Sequence, residues 1–262
     1  MSTTTQNVVG SVVTLWRYPV KSMQGEELNS AHVTERGLLG DRVYALLDPS
    51  TGKVASAKSP RKWAKLLDFR AGFVEPPQPG AKIPPVRVTL PDGTVVSGRQ
   101  RNINRVLSDV LGQEVRFEAT APETPSLEEY WPDMEGLAHR ETTTDEAMPP
   151  GTFFDFAVIH VLTTATIDRL RELYPPGRFE VRRFRPNIVV APASGEKGFV
   201  ENAWVGRTLG IGNEVRLSIT GPCPRCVMTT LPQGDLPNDP GILRTVARHN
   251  QVNVGAYAAV VR

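Results

Sequence analysis

The sequence predicts a mixed α/β fold that is rich in β-strands, with a few short helices between them. The chain of 262 residues carries 22 glycines and 23 prolines, a share that is typical of many turns and short elements. Most apolar segments are short and rich in β-branched and aromatic residues, as strands are. Because strands dominate and helical spacing is rare, a β-barrel type of architecture is favoured.

The first part of the chain is predicted to form strands separated by turns, with one short helix. Asn102 can cap a helix over Ile103–Leu111, and Gly112 can end it. Pro91-Asp92-Gly93 is a hairpin turn. The predicted strands are Val8–Val20, Val43–Asp48, Phe69–Glu75, Val86–Leu90, Thr94–Ser97 and Val115–Glu118.

A change in composition divides the chain. Residues 121–151 are acidic, rich in proline and threonine, and without apolar periodicity. We therefore expect a long loop there and two modules, residues 1–120 and 121–262. The second module is predicted to contain a helix that starts at Thr163-Thr164 and another over Pro240–His249. Its predicted strands are Ala157–Leu162, Asn187–Val190, Val215–Ile219 and Val254–Val261.

Charge and hydropathy exclude several classes of function. The net charge of +2 is too balanced for a nucleic-acid-binding surface. No segment approaches the roughly 18–20 apolar residues that span a bilayer. The N-terminus lacks the basic and apolar regions of a secretory signal. We therefore expect no nucleic-acid partner, no membrane span and a cytoplasmic location.

The chain has two cysteines, Cys223 and Cys226, within one Cys-Pro-Arg-Cys segment. Arg225 is expected to lower the pKa of the Cys226 thiol, which favours the thiolate that binds soft metals. A dithiol redox pair and half of a zinc site are alternatives, although the four histidines show no zinc-ligand spacing. Two buried cysteines that pack as small apolar groups are the third interpretation, and spacing alone favours it.

Cations, hydroxyls and an amide stand beside several predicted strand or helix ends. Each has an ordinary structural explanation when taken alone, such as a solvated charge, a helix cap or an ion pair with Asp41. A helix N-terminus is nevertheless a natural anion site, and arginine and lysine bind phosphate. The residues are Lys21, Ser22, Arg42, Thr163, Thr164, Arg185 and Asn187.

Four motifs in order resemble the MOSC-domain family, and within it the mitochondrial amidoxime reducing component and its bacterial relatives. The motifs are Tyr-Pro-Val-Lys-Ser at residues 18–22, Gly-Asp-Arg at 40–42, Phe-Arg-Pro-Asn-Ile-Val at 184–189 and Cys-Pro-Arg-Cys-Val-Met-Thr-Thr at 223–230. The resemblance covers nearly the whole chain. It implies a MOSC-type β-barrel preceded by an N-terminal β-barrel-like module.

The resemblance also implies a molybdenum–molybdopterin cofactor with Cys226 as the metal ligand and catalytic residue. It implies no metal role for Cys223. The cofactor-binding residues that it implies are Lys21, Ser22, Arg42, Thr163, Thr164, Arg185, Asn187, Arg225 and Tyr257.

The activity implied by the resemblance is reduction of N-hydroxylated or N-oxide-type small molecules. Electrons are expected from a separate donor protein of the ferredoxin, flavoprotein or cytochrome type, since two cysteines cannot hold an iron–sulfur cluster. The alternative is a carrier of sulfur or of molybdenum cofactor, with a persulfide or thiolate at Cys226. A dithiol reductant is a third option.

Family members usually continue beyond the strand that matches Val254–Val261, whereas this chain stops at Arg262. The final strand is therefore expected to be missing, unless residues 210–215 supply the only such element. An open barrel edge of this kind could pair with a second copy, so a homo-oligomer is an option.

Overall fold

The computed structural model describes residues 7–193 and 195–261. Sixteen strands lie in this part of the chain: β1 (Gly10–Arg17), β2 (Glu26–Leu28), β3 (Val33–Thr34), β4 (Gly37–Leu38), β5 (Ala45–Leu47), β6 (Arg70–Phe73), β7 (Val86–Thr89), β8 (Val95–Ser97), β9 (Arg116–Glu118), β10 (Ser126–Trp131), β11 (Thr142–Ala147), β12 (Ile159–Thr163), β13 (Ile188–Pro192), β14 (Thr208–Ile211), β15 (Val215–Pro224) and β16 (Asn253–Val260). The α-helices are α1 (Pro60–Trp63), α2 (Ile103–Leu111), α3 (Thr164–Leu173), α4 (Val181–Phe184) and α5 (Pro240–Asn250). None of the helices in the described ranges is long and apolar enough to cross a bilayer. The predicted β-rich fold with short helices is confirmed.

A curled half-barrel sheet joins β1 and β2, from residues 10–28, to five strands from residues 159–260. Its strand order is β14-β15-β16-β12-β13-β1-β2. All neighbours are antiparallel except β12 and β13, which are joined through α3 and run parallel. The terminal strand β16 has a hydrogen-bonded neighbour on each side, and β14 and β2 form the edges of the sheet in the described residues.

Strand β12 is buried at every position, as an interior strand covered on both faces should be. One face of the sheet forms a core around Ile159, Val161 and Leu217. On the other face Leu162 packs with the apolar sides of α3 and α5. The helix ends are fixed by side chains: Thr163 accepts a hydrogen bond from the Thr166 backbone, and Asp239 accepts one from Gly241.

A separate core lies in the N-terminal part of the chain. Two small sheets surround it, the three-stranded β6-β7-β8 sheet and the β5-β9 pair. Helix α2 has the predicted bounds and ends at Gly112, which has φ +76°. Asn102 precedes it, but its side chain makes no capping hydrogen bond. The core residues include Val20, Met23, Leu46, Leu66, Phe69, Val88, Leu107 and Val115.

The prediction of a long loop over residues 121–151 is wrong. This segment contains a hairpin of β10 and β11, in which Ser126 pairs with Ala147 at one end and Trp131 pairs with Thr142 at the other. Its outer positions are polar, so the apolar alternation that normally indicates a strand is absent. Ion pairs attach the hairpin to the N-terminal part of the chain. They join Lys53, Lys58 and Lys62 to acidic residues of the hairpin.

Candidate cofactor-binding cavity

A cavity of about 710 Å³ is lined by residues of the N-terminal module, the β10–β11 hairpin and the second module. The structure brings eight of the ten predicted site residues to its wall. They are Lys21, Ser22, Arg42, Arg185, Asn187, Arg225, Cys226 and Tyr257.

Thr163 and Thr164 do not line this cavity. Thr163 is fully buried at the start of α3, where its hydroxyl donates to Glu201 at 2.6 Å. Glu201 also accepts from the Thr166 hydroxyl and the Gly255 backbone. The hydroxyl of Thr163 is therefore used in joining α3 to β16.

The two cysteines differ in accessibility. Strand β15 ends at Pro224, and Cys226 follows on extended backbone before a 3₁₀ helix over Val227–Thr230. Cys223 is buried, whereas Cys226 is partly exposed, and both line the cavity. Cys226 is therefore the more accessible thiol.

Arg225 faces Cys223 rather than Cys226. Its Nη1 donates to Cys223 Sγ at 2.8 Å, and its Nη2 donates to the Phe184 carbonyl at 2.9 Å. Burial raises the pKa of Cys223, but Arg225 and His160 outweigh it and bring that pKa to about 6.

Arg225 lowers the pKa of Cys226, as expected, but it does not hold the thiolate. Burial and Glu129 outweigh Lys58 and Arg225 and raise that pKa to about 11. The protein environment alone therefore keeps Cys226 as a thiol. A bound metal deprotonates its cysteine ligand through its own charge.

Unusual backbone conformations are concentrated at the cavity wall. Ser22, Arg42, Arg185 and Val252 have φ of +63°, +49°, +54° and +61°, in the left-handed region that non-glycine residues rarely adopt. All four line the cavity. Such conformations are characteristic of functional sites, where the surrounding structure enforces them.

The buried carboxylate of Asp41 holds one side of the site. It accepts hydrogen bonds from the Tyr18 backbone at 2.7 Å and from Asn187 Nδ2 at 2.9 Å, and it pairs with Arg42. Asn187 Oδ1 in turn accepts from the His160 backbone at 3.1 Å. The ion pair of Arg42 with Asp41, considered as a structural alternative, is present and orients a cavity residue.

Four charged residues of the cavity were not predicted: Lys58, Glu129, Glu146 and Asp155. Lys21 pairs with Asp155 and donates to the Phe153 carbonyl at 2.9 Å. Lys58 donates to Glu129 at 2.9 Å and lies 3.6 Å from Asp155. Their sequence surroundings show no periodicity or motif, so only the fold reveals this network.

The network shifts the pKa values of its members. Burial alone would raise the pKa of Asp155, but Lys21 and Lys58 outweigh it and hold that pKa well below its ordinary value. Burial lowers the pKa of Lys21. Burial acts in the same direction on Lys58, but Asp155 and other anionic groups outweigh it and raise that pKa. The cavity wall thus carries two lysines around an ionised carboxylate.

Two guanidinium groups lie over the Tyr18 ring. The Arg185 and Arg42 carbons Cζ are 4.2 and 4.9 Å from the ring centroid. Arg185 donates to the Met23 carbonyl at 2.7 Å, and burial lowers its pKa to about 10. The buried Tyr18 hydroxyl and Arg225 Nε have no hydrogen-bond partner in the described part of the chain.

These groups fit an anionic ligand. Among the described residues, neither Arg185 nor Arg225 has a carboxylate within 4.0 Å, and Arg225 Nε is an unused buried donor. Molybdopterin carries a phosphate, a polar bicyclic ring and a metal that needs a soft ligand, so this set of donors suits it. The cations that line the cavity are Lys21, Arg42, Lys58, Arg185 and Arg225.

Two family models match the chain. The MOSC N-terminal beta barrel domain matches residues 9–75, and the MOSC domain matches residues 150–262. Together they cover more than half of the chain.

Curated relatives are distant but match over most of the chain. Mitochondrial amidoxime reducing component 2 of Homo sapiens is 26% identical over 243 residues, and that of Bos taurus is 26% identical over 235 residues. Mitochondrial amidoxime-reducing component 1 of Mus musculus is 25% identical over 245 residues. The matches cover 85% of this chain and 66–67% of each relative. The chain belongs to the MOSC-domain family.

Proposed function

We propose that the protein is a molybdenum-cofactor-dependent oxidoreductase that reduces N-hydroxylated or N-oxide-type small molecules. The observation that carries the proposal is a partly exposed Cys226 in a cavity of about 710 Å³ that five cationic side chains line. The family and the names of the relatives, amidoxime reducing components, support the same class of reaction.

Cys226 would hold the metal, and cationic side chains of the cavity would hold the anionic pterin. Arg185 and Arg225 are the best placed for this, because neither is paired with a carboxylate among the described residues. Ser22 and Arg42 would contribute hydrogen bonds, and Asn187 would hold the wall through its own bonds to Asp41 and the His160 backbone. When bound, the cofactor supplies the two-electron redox chemistry, and the protein orients it and excludes water.

Tyr257 and His160 are positioned behind the thiols. The two rings lie 6.4 Å apart, and His160 Nε2 is 3.0 Å from the Val254 carbonyl. Both side chains line the cavity beside Cys223. Their role in the proposal is to fix the β15–β16 wall and the hydrogen bonds around the cysteine segment.

Electrons would come from a separate protein of the ferredoxin, flavoprotein or cytochrome type. A cytoplasmic location and a homo-oligomer both stay predictions, and the curated relatives are named as mitochondrial.

Metal and pterin analysis tests the proposal. The protein is purified from cells with intact cofactor synthesis beside Cys226→Ala and the matched control Cys223→Ser. We expect molybdenum in the native protein and in Cys223→Ser, and none in Cys226→Ala. A native protein without molybdenum overturns the proposal.

Activity with an artificial electron donor separates the proposal from a carrier role. A molybdenum-loaded protein that reduces no N-hydroxy compound would favour a carrier of sulfur or cofactor at Cys226. Loss of reduction in Cys223→Ser with full molybdenum would favour a dithiol mechanism, because only that mechanism requires both sulfurs.

A further inference from the structure

The β10–β11 hairpin forms a cavity wall that neither family model covers. The matched ranges end at residue 75 and resume at residue 150, and the hairpin occupies residues 126–147 between them. The residues proposed to bind the cofactor all lie in the matched ranges. The hairpin and its connection instead contribute Glu129, Trp131, Leu137, Ala138, Glu146 and Ala147 to the cavity.

The hairpin is fixed to the N-terminal module along its length. Lys58 pairs with Glu129 at 2.9 Å, and Lys62 pairs with Glu128 at 2.7 Å. The Tyr130 backbone donates to the Lys58 carbonyl at 2.8 Å. This wall is therefore preformed, as small-molecule sites usually are.

The hairpin presents apolar side chains to the cavity beside the two carboxylates Glu129 and Glu146. Trp131 Nε1 donates to Thr144 Oγ1 within the hairpin at 2.7 Å, so the only polar atom of the indole is already satisfied. Leu137 and Ala138 line the cavity from the connection between the two strands. The His139 ring packs against the indole at 5.1 Å between centroids, and the indole also lines the cavity, where it offers an apolar contact.

Phe156 provides an aromatic surface from the second module. It is 70% exposed although it lines the cavity, and its ring lies 5.4 Å from the Tyr257 ring. Its exposed ring therefore adds apolar surface to the cavity wall.

We infer that Trp131, Leu137, Ala138 and Phe156 form a subsite for the flat, apolar body of the substrate. The inference rests on the proposed function. It adds that the preferred substrates carry their N–O group on an aromatic body, with the hairpin determining this preference.

Two probes with the same reacting group test the subsite: benzamidoxime, which carries a phenyl group, and acetamidoxime, which carries a methyl group. Binding is measured by calorimetry on the molybdenum-loaded protein, and KM is measured with an artificial electron donor. Trp131→Ala should weaken benzamidoxime binding about tenfold, or about 1.4 kcal/mol, and acetamidoxime binding less than about twofold.

Trp131→Phe is the matched variant, because it keeps an aromatic ring and loses the hydrogen bond to Thr144. It should bind both probes within about twofold of the wild type. Phe156→Ala should act like Trp131→Ala. Val95→Ala, an exposed apolar position outside the cavity, should change neither probe.

Equal weakening of both probes in Trp131→Ala, or no weakening of either, overturns the subsite. Calorimetry separates this failure from failure of the proposed function. A loaded protein that binds benzamidoxime through Trp131 but reduces neither probe keeps the subsite and overturns the reductase. A loaded protein that reduces both probes without preferring benzamidoxime keeps the reductase and overturns the subsite.

Discussion

Gly255 shows how single residues bring the site together. It lies in β16 with φ +83°, and a Cβ there would be 2.0 Å from His160 Nε2 and 2.6 Å from the Val161 carbonyl. The missing side chain lets β16 approach β12 closely, and His160 reaches the Val254 carbonyl at 3.0 Å. Glycine is required here both for its conformation and for its size.

Gly255→Ala should destabilise the protein more than Gly52→Ala. Gly52 has φ +72°, but no other atom lies within 4 Å of the place that a methyl group would take, so it carries only the conformational cost, about 1 kcal/mol. Gly255 adds a clash with a side chain and a backbone carbonyl, and we expect a loss of about 3 kcal/mol or more. Urea unfolding measures both, and equal losses would contradict the argument.

Most residues that line the candidate cavity could be predicted, because the four motifs and their order along the chain identify them. The hydrogen-bond and ion-pair partners of these residues could not be predicted. Sequence adjacency linked Arg225 with Cys226, whereas the guanidinium faces Cys223. On extended backbone, residues two apart share a face and neighbours do not. The predicted strand ends at Ile219, whereas β15 extends to Pro224, so the sequence did not indicate this pair.

At the scale of elements, the β10–β11 hairpin is held by ion pairs as well as by the burial of Leu127 in β10. Its outer strand β11 is mostly exposed and polar. Helices α2 and α5 were predictable since apolar spacing and end signals agree within each segment. The hairpin was not, because its ion-pair partners Lys53, Lys58 and Lys62 lie more than sixty residues away in sequence.

Glu128→Gln should weaken the attachment of the hairpin. Glu128 pairs with Lys62 at 2.7 Å and with Lys53 at 3.6 Å, and these side chains are partly exposed. We therefore expect a loss of only about 0.5–1 kcal/mol in the free energy of unfolding at low salt. The loss should shrink in 1 M salt because screening weakens exposed pairs.

Glu27→Gln is the control for this variant, since Glu27 is exposed on the edge strand β2. It should leave the free energy of unfolding within about 0.5 kcal/mol of the wild type at both salt concentrations. A loss in Glu128→Gln that is independent of salt would contradict an electrostatic attachment.

At the scale of the whole molecule, the cavity is lined by residues from distant parts of the chain, and charged side chains join these parts. Lys21 and Lys58 come from the N-terminal module, while Asp155 and the Phe153 carbonyl come from the segment before β12. The sequence indicated two parts, but not that a carboxylate beside Phe154 would pair with lysines roughly a hundred residues earlier. Long-range pairs of this kind follow from topology, which local patterns do not specify.

The stability of this junction should decrease in acid. The pKa of Asp155 is held below its ordinary value in the folded protein, since Lys21 and Lys58 favour its charged form. Its contribution is therefore complete above the unfolded-state pKa of about 3.9 and is lost as the pH falls below it. In Asp155→Asn the free energy of unfolding should be lower than in the wild type at pH 7. The free energy of unfolding of Asp155→Asn should also fall less steeply between about pH 5 and pH 2. The difference in slope between the two proteins should correspond to at most one bound proton. Urea unfolding across this range measures the slope, and parallel curves for the two proteins would show that Asp155 does not stabilise the junction.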